Sequence, residues 1–298
     1  MCESITSTYM KYIPVFFLSL LFCSRTSGQS THYTIQQTGE TRQNYSNSVT
    51  TIHDTTVYRL TLSDTSTNGL MNFRLTMISY AYRMISQVDG RQYMDLYYDP
   101  KMKKRDPNKQ MAYENLDATH GVFLNKEIMI TFDPVHDSVT VLNADSIVKS
   151  NTSMAIGLVE GVKTYFSNDY FTGLFHSFLR TNYKSHLAVN AKWMQAKEAV
   201  SALQPRYADR SYTTQSVSKD SICVEVTGPS FYRDPANRYT QFGPKYCSGS
   251  ENGVIVYRTD SFIPWRMDMH YVIIFQSNSY SSNVETWISD IRMRFKKE

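Results

Sequence analysis

Three short stretches of the sequence place acidic and imidazole side chains close enough to bind a metal ion or to transfer a proton. The first, ITFDPVHDSVTV at 130–141, brings Asp133, His136 and Asp137 within five residues. Carboxylates and imidazoles ligate zinc and serve as general acids and bases. The stretch also suits a hairpin, because Asp followed by Pro fits the first two positions of a type I turn. We favour the hairpin, with His136 and Asp137 at its solvent-facing tip.

Two further stretches carry the same side-chain types. Glu114, Asp117 and His120 are evenly spaced, but the pattern around them predicts no helix that would hold them on one face. Asp268 and His270 share a strand face and would give a metal two ligands without a third. The chain also lacks the motifs G-x-S-x-G, G-x-G-x-x-G and H-E-x-x-H, and it has no P-loop. These observations predict no catalytic residues, no metal and no cofactor, and they favour a protein that is not an enzyme.

An N-terminal segment, 1–28, predicts export. Its apolar run at 13–22 follows a single cation and leads into small and polar residues. This layout is typical of a cleavable secretory signal peptide, and the run is shorter than the about 20 residues that span a bilayer. A lipoprotein signal, in which Cys23 would be modified, is the alternative. Translation can begin at Met1 or at Met10, since the signal pattern starts at the second of these.

The mature chain, residues 29–298, is long enough to bury a sizeable core as a single β-rich domain. Its charges are dispersed, and a net charge of +4 for the whole sequence is too small for the basic footprint of nucleic-acid binding. No stretch of the mature chain is typical of a transmembrane helix. Cys223 and Cys247 are the two cysteines left after cleavage, and in an exported protein they favour a disulfide over two unpaired thiols.

A period of two dominates the mature chain and predicts antiparallel strands. In the run at 57–62, Tyr58, Leu60 and Leu62 share one face, and the run at 73–86 is rich in β-branched and aromatic residues. An Asp-Gly pair then predicts a two-residue hairpin turn, because Gly accepts a positive φ. The hairpin register places two pairs of residues opposite each other: Ile85 with Met94, and Tyr82 with Tyr97. The basic stretch 99–109 that follows is expected to form a solvated loop.

After Asn143 the period changes to about 3.6 and predicts a helical insertion at about 150–200. One helix is expected at 153–166, and a second begins at Ser167 or Asn168. The second helix carries a strongly apolar stripe, which must pack on the sheet or line a ligand cavity: Phe171, Leu174, Phe175 and Phe178. Strands are expected to resume near Tyr212. The last of these strands is expected to have one apolar face and one solvent-exposed face.

The segment between the two cysteines is the other candidate binding surface. GPSFYRDPANRYTQFGPKY at 228–246 interleaves aromatic and cationic side chains. Such a mixture can stack on sugars or hold an anionic headgroup. The alternative is a long loop whose aromatic residues cap the end of the sheet. The residues of this segment that we take as candidate ligand contacts are Phe231, Tyr232, Arg233, Arg238 and Tyr239.

The strand and turn patterns together resemble a known family. The stretches DGRQY, GVFLNKEIMITFDPVHDSVTVLNADSIV and ENGVIVYRTDSFIPWRM, on a mature chain that begins with Gln, are similar to those of uncharacterised exported β-rich proteins of Bacteroidota. The resemblance implies a periplasmic, outer-membrane-associated or secreted location, and it implies no site residues. In fold, it points to an analogy with the half-barrel of periplasmic lipoprotein carriers.

The fold predicted from these elements is mainly β (α+β). It is a long curved antiparallel sheet or half-barrel, with the helical insertion packed on or in its concave face. We expect a non-enzymatic cell-envelope module that binds an apolar or amphipathic, lipid-like ligand. The alternative is a structural or adhesive envelope protein with a packed core and an envelope protein partner. A metal-assisted hydrolase is the third reading, and no nucleic acid is expected as a partner.

Overall fold

The computed structural model describes residues 30–65, 69–150, 168–176, 179, 186–199, 206–232, 246–261, 263–276 and 284–298. Within these ranges, the strands are β1 Thr31–Tyr45, β2 Ser48–Thr65, β3 Met71–Val88, β4 Arg91–Tyr98, β5 Glu127–Asp133, β6 Ser138–Val141, β7 Lys192–Ala199, β8 Arg206–Val217, β9 Ser221–Tyr232, β10 Tyr246–Arg258, β11 Pro264–Gln276 and β12 Val284–Lys297. The helices are α1 Gln110–Thr119, α2 Ala144–Lys149 and α3 Asn168–His176, with short 3-10 turns at Pro107–Lys109 and Gly121–Phe123. Several predictions lie outside the described residues: the signal segment, the helix at 153–166, Phe178, Arg233, Arg238 and Tyr239.

All of these strands belong to one open antiparallel sheet. Their order is β6-β5-β3-β2-β1-β12-β11-β10-β9-β8-β7, and β4 pairs with β3. One edge of the long strand β3 takes two partners, because 71–76 pair with β5 and 82–88 pair with β4. Strands from both sides of the helical insertion therefore join the same sheet. The prediction of a mainly β fold built on a long curved antiparallel sheet is confirmed.

One face of the sheet, here called the inner face, carries the hydrophobic core. Ile35 of β1 lies between Tyr58 of β2 and Phe295 of β12, and all three are buried. In the next inner row, Met293 of β12 lies opposite Met267 of β11, and both are buried. The β12 residues that alternate with them, Arg292, Arg294 and Lys296, are exposed cations on the opposite, outer face. The predicted division of the last strand into an apolar face and a solvent-exposed face is therefore confirmed.

Helix α3 closes one end of the inner face. Phe171 and Phe175 are fully buried, and the ring of Phe171 lies 5.6 Å from the ring of Phe123. The N-termini of α2 and α3 cap each other. Asn168 Oδ1 accepts a hydrogen bond of 2.8 Å from the first N–H of α2, and Asp145 Oδ1 accepts one of 2.9 Å from the Asn168 N–H. These bonds satisfy donors that helix ends otherwise leave unpaired, and they fix the two helices relative to each other.

The predicted hairpin between β3 and β4 is confirmed, but its register differs by one residue. The two turn residues adopt positive φ angles of 48° and 74°, as a two-residue hairpin turn requires. A β-bulge beside the turn then places Tyr82 opposite Tyr98 rather than Tyr97, and it makes the predicted pair of Ile85 and Met94 wrong. Because a slip of one residue exchanges the two faces, Tyr98 is buried while Tyr97 is half exposed.

The insertion also differs from its prediction. Strand β7 lies within the segment at about 150–200 that the sequence pattern assigns to helices, so 192–199 are a strand where a helix was expected. Helix α1 was not predicted, and it directly follows the basic stretch 99–109. The periodicity of α1 is weak because Tyr113 is the one residue of the helix that is fully buried, while the others are exposed or only partly buried. Tertiary contacts therefore determine this helix more than its own pattern does.

The predicted disulfide is wrong. On the paired strands β9 and β10, Cys223 lies opposite Val256, and Cys247 lies opposite Tyr232. Cys247 therefore lies nine residues along β10 from Val256, the residue opposite Cys223. At about 3.3 Å per residue, this places the two cysteines roughly 30 Å apart. Bridged cysteines need Cα atoms within about 7 Å of each other. Cys223 is a free thiol, and burial raises its pKa.

Candidate functional site

The stretch ITFDPVHDSVTV forms the predicted hairpin between β5 and β6. Asp133 Oδ1 accepts hydrogen bonds from the backbone N–H groups of Val135 at 2.8 Å and His136 at 3.2 Å. Asp133 Oδ2 lies 2.6 Å from His136 Nδ1, and these hydrogen bonds hold the pKa of the Asp133 carboxyl below its usual range. Asp137 completes the turn with a φ of +50°. The trio therefore builds a turn, as predicted, with the exposed His136 at its tip.

In the second stretch, Asp117 anchors α1 to the sheet. Its carboxylate accepts hydrogen bonds from Arg105 at 2.5 and 3.0 Å and from the Tyr98 hydroxyl at 2.6 Å. Burial alone would raise the pKa of Asp117, but these bonds lower it. The Arg105 guanidinium also lies 5.5–5.6 Å from the ring centres of Tyr98 and Tyr113. Arg105 thus folds back against the aromatic rings instead of solvating a loop.

His120 packs face to face on Tyr80, with 3.8 Å between the ring centres and 8° between the planes. Desolvation lowers the pKa of this imidazole to about 3, so the ring is neutral at physiological pH. Glu114 of the same stretch is exposed and interacts with Gln110. The three side chains Glu114, Asp117 and His120 therefore serve different local purposes and do not converge on one point.

Asp268 and His270 lie on the outer face and point to separate partners. Arg266 and Arg294 both form ion pairs with Asp268, at 2.5 and 2.6 Å. His270 Nδ1 lies 2.8 Å from an oxygen of Asp290. No group of three or more His, Cys, Asp or Glu side chains in the described part of the chain could hold a metal ion.

The candidate ligand contacts on α3 are distributed between core and surface. Phe171 and Phe175 belong to the buried core, while Leu174 is partly buried. Phe231 and Tyr232 are the last two residues of β9. The structure brings the α3 residues together against the core, and it places the other two in a different element.

At the end of the inner face that carries the two hairpin turns β1–β2 and β3–β4, a set of apolar side chains remains partly exposed. We call this set the open patch: Ile52, Tyr82, Met84, Met94 and Ile291. Ile52 lies directly opposite Met84 on the β2–β3 ladder, and Tyr82 and Met94 occupy the flanking rows of the β3–β4 hairpin. All five side chains share the inner face. Four of them border the buried core, so the patch continues the core to the surface.

A carboxyl group lies beside the open patch. Asp54 of β2 is flanked by Gly39 on β1 and Tyr82 on β3 in the same inner row. Burial raises the pKa of Asp54, and burial together with the Asp54 charge raises the pKa of Tyr82 to about 12. One row nearer the core, the Oε1 atom of Gln37 is buried without a hydrogen-bond partner. The inner face therefore carries two acceptor groups beside the apolar side chains of the open patch.

The same face carries a buried ion pair on its other half. Arg210 of β8 and Glu251 of β10 are 3% and 2% exposed. They form two hydrogen bonds, Nε to Oε1 at 2.5 Å and Nη2 to Oε2 at 3.0 Å. This bidentate geometry satisfies both charges, as a buried pair requires. The pair bridges across the intervening strand β9, so it is part of the scaffold.

A shallow depression of about 510 Å³ lies outside the inner face, between β4 and α1. Its lining includes Arg83, Asp95, Asp106 and Lys109. Arg83 pairs with Asp95 at 2.9 Å, and Lys109 pairs with Asp106 at 3.4 Å. Because four of its charged side chains already pair with one another, the depression is a weaker candidate for a ligand site than the open patch.

Comparisons with known proteins find several distantly similar solved structures. No protein-family model and no curated protein sequence matches the chain. A structure described as "Lipid-protein interactions in lipovitellin" aligns with a TM-score of 0.47 and 10% identity, covering 90% of this chain and 25% of lipovitellin. OccK7 (OpdD) of Pseudomonas aeruginosa aligns with a TM-score of 0.25 and 7% identity, covering 91% of this chain and 100% of that protein. The chain thus spans about a quarter of the lipovitellin chain.

None of the described helices has the length and apolar character needed to cross a membrane.

Asp54 was not among the candidate site residues predicted from the sequence, although the pattern of β2 marks it. Tyr58, Leu60 and Leu62 establish the inner-face phase of β2, and the same period of two continues back to Asp54 and Ile52. A carboxylate in phase with a core stripe is unusual and marks a candidate site. The partner residues from β1 and β3 have no such local signal, because only the strand register brings them beside Asp54.

Proposed function

We propose that this protein is a non-enzymatic binding module that holds an apolar or amphipathic, lipid-like ligand on the open patch. The observation that supports this proposal is the partial exposure of five apolar side chains on the inner face, next to a closed core. Covering apolar surface stabilises a complex by about 25 cal/mol per Å², before the cost of association is subtracted. A flexible hydrocarbon chain suits a surface rich in Met and aliphatic side chains.

The proposed site differs from the apolar stripe of α3. Phe171 and Phe175 have no exposed surface left to offer a ligand, and their partners are core residues. A charged substitution at Phe175 would therefore test folding rather than binding. The open patch is the better target, because its side chains are partly accessible and their neighbours in sequence point to the outer face.

The cellular location is also a proposal. The apolar run at 13–22 and the small, polar residues after it support export through a cleavable signal peptide. We therefore place the protein in the cell envelope or outside the cell. Expression of the full sequence in a Gram-negative host, followed by fractionation and mass measurement, tests this. We expect a periplasmic product that begins at Gln29, and an uncleaved cytoplasmic product would contradict it.

Binding can be tested with two substitutions at adjacent positions of β3. Met84→Glu places a charge in the open patch, while Ile85→Glu places the same charge on the outer face of the same strand. Titration of the delipidated protein with the apolar dye Nile red is expected to show saturable fluorescence enhancement. We expect Met84→Glu to weaken this binding about tenfold or more and Ile85→Glu to leave it within about twofold. Equal effects of the two variants, or no saturable uptake by the unmodified protein, would overturn the proposal.

The complete burial of Phe171 and Phe175 also favours a second candidate, a structural envelope protein with a packed interior. In that case the open patch would be an ordinary surface with scattered apolar residues. The Nile red titration separates the two candidates, since a structural protein gives no saturable uptake.

A further inference from the structure

Asp54 is a carboxyl group without a cationic partner on its own side of the sheet. Four other acidic side chains of the described chain have an arginine within 3 Å: Asp95 with Arg83, Asp117 with Arg105, Glu251 with Arg210, and Asp268 with Arg294. Asp54 has no hydrogen bond or ion pair of this kind among the described residues. The adjacent imidazole of His53 lies on the outer face, where it faces Glu40 at 3.7 Å.

Gly39 creates the space that the Asp54 carboxylate occupies. A Cβ atom at Gly39 would collide with Oδ1 of Asp54 and come within 3.0 Å of its Cγ. The carboxylate therefore lies over the backbone of β1 at Gly39. Because β1 is paired on both sides, with β2 and β12, its N–H groups are used in the two ladders. The geometry places the carboxylate on the inner face without a backbone donor.

A second acceptor lies next to this carboxylate. Gln37 precedes Gly39 by two residues on β1, so Gln37 and Asp54 are diagonal neighbours on the inner face. The Oε1 atom of Gln37 is buried and has no hydrogen-bond partner. Two neighbouring acceptors without donors are costly where water is excluded, and a ligand that brings donors would satisfy both.

The groups that face Asp54 from the neighbouring strands are neutral. Tyr82 of β3 lies opposite it, and Ile291 of β12 occupies the same row beyond Gly39. The phenol of Tyr82 stays protonated, since its pKa is about 12. The local charge is therefore that of one carboxylate, beside the apolar side chains of the open patch. This arrangement complements a molecule with a compact cation attached to a hydrocarbon chain.

We propose that Asp54 and Gln37 bind the ammonium headgroup of a cationic single-chain amphiphile whose hydrocarbon chain lies on the open patch. The inference rests on the proposed function and adds the headgroup class. An ammonium group has three donors, so one headgroup can donate both to the Asp54 carboxylate and to its diagonal neighbour Gln37. A fatty acid carboxylate would instead meet like charge and two acceptors.

Three amphiphiles with the same chain test the headgroup: dodecylamine, dodecanol and dodecanoate, each titrated calorimetrically below its micelle concentration. The protein variants are Asp54→Asn, which keeps the side-chain shape, and Glu40→Gln, which removes a carboxylate from the outer face of the neighbouring strand. Asp54→Asn is expected to fold, because it removes a charge that burial disfavours. A urea unfolding curve for each variant checks this.

We expect the unmodified protein to bind dodecylamine more tightly than dodecanol and dodecanol more tightly than dodecanoate. Asp54→Asn is expected to weaken dodecylamine binding about tenfold or more while leaving dodecanol within about twofold. Glu40→Gln is expected to change neither. Binding of all three amphiphiles with equal affinity would overturn the headgroup assignment and leave the proposed function standing. Binding of none of them would overturn both, and unchanged dodecylamine binding in Asp54→Asn would overturn the role of Asp54.

Discussion

At the residue scale, His120 shows how burial of one ring can make the fold sensitive to acid. The ring lies on Tyr80, and desolvation lowers its pKa from 6.5 to about 3. A histidine whose folded pKa is lowered contributes stability above its unfolded pKa and loses it as the pH falls toward the folded value. The protein should therefore lose free energy of unfolding between about pH 6.5 and about pH 3 because of this residue.

Substitution of His120 by Phe tests this effect. His120→Phe keeps an aromatic ring on Tyr80 but removes the titrating group. In urea unfolding curves measured at several pH values, the stability difference between the unmodified protein and His120→Phe should be constant above about pH 6.5 and change in favour of the variant below it. A pH-independent difference would show that the imidazole is protonated in the folded protein as readily as in water.

The buried pair of Arg210 and Glu251 gives a second prediction at this scale. Glu251→Gln leaves an uncompensated guanidinium in the interior, and we expect a loss of about 3–5 kcal/mol in the free energy of unfolding. The double variant Arg210→Met, Glu251→Leu removes both charges and should lose much less, or nothing. Chemical denaturation measures both values. A double variant as unstable as the single one would mean that the pair itself, rather than charge compensation, stabilises the fold.

At the element scale, α3 is attached to the sheet by one side of its surface. Phe171 is fully buried against Phe123, whereas Leu174 is only partly buried. We therefore expect Phe171→Ala to lower the free energy of unfolding by about 3–5 kcal/mol and Leu174→Ala to cost clearly less. Urea denaturation provides the comparison. Equal losses from the two substitutions would contradict the orientation of the helix.

The elements that could be predicted from the sequence are those whose signal is local. The hairpin at Asp133 follows from its Asp-Pro turn, and α3 follows from the spacing of Phe171 and Phe175. The β3–β4 hairpin was predicted from its Asp-Gly turn, but its bulge was not, because nothing in the local pattern marks an extra residue. That bulge decides whether Tyr98 or Tyr97 enters the core.

Other elements could not be predicted because distant contacts determine them. Helix α1 is stabilised by the contacts of Asp117 with Arg105 and Tyr98, and its own apolar pattern is weak. The disulfide prediction was wrong for a related reason. Cysteine count and compartment do not define strand register, and the β9–β10 ladder separates Cys223 from Cys247. Part of the candidate site, Asp54 and Ile52, could have been found from the phase of β2, but its neighbours Gly39 and Tyr82 depend on pairing.

At the scale of the whole molecule, the inner face of the sheet divides into two regions. The closed core runs across the central strands to β5, β6 and α3, and the open patch beside Asp54 lies at the end that carries the two hairpin turns. A fully packed protein needs no such partly exposed apolar region, whereas a binding module does. The location of bound ligand is therefore the central claim.

Photolabelling tests that claim most directly. A dodecylamine that carries a diazirine at the end of its chain is bound to the delipidated protein, and the complex is irradiated. The labelled residues are then mapped by peptide mass spectrometry. We predict labels on inner-face residues around Met84 and Met94, competed by unlabelled dodecylamine and reduced in Met84→Glu. Labels on outer-face residues such as Ile85 or Arg292, or labelling that competitor does not reduce, would contradict the account.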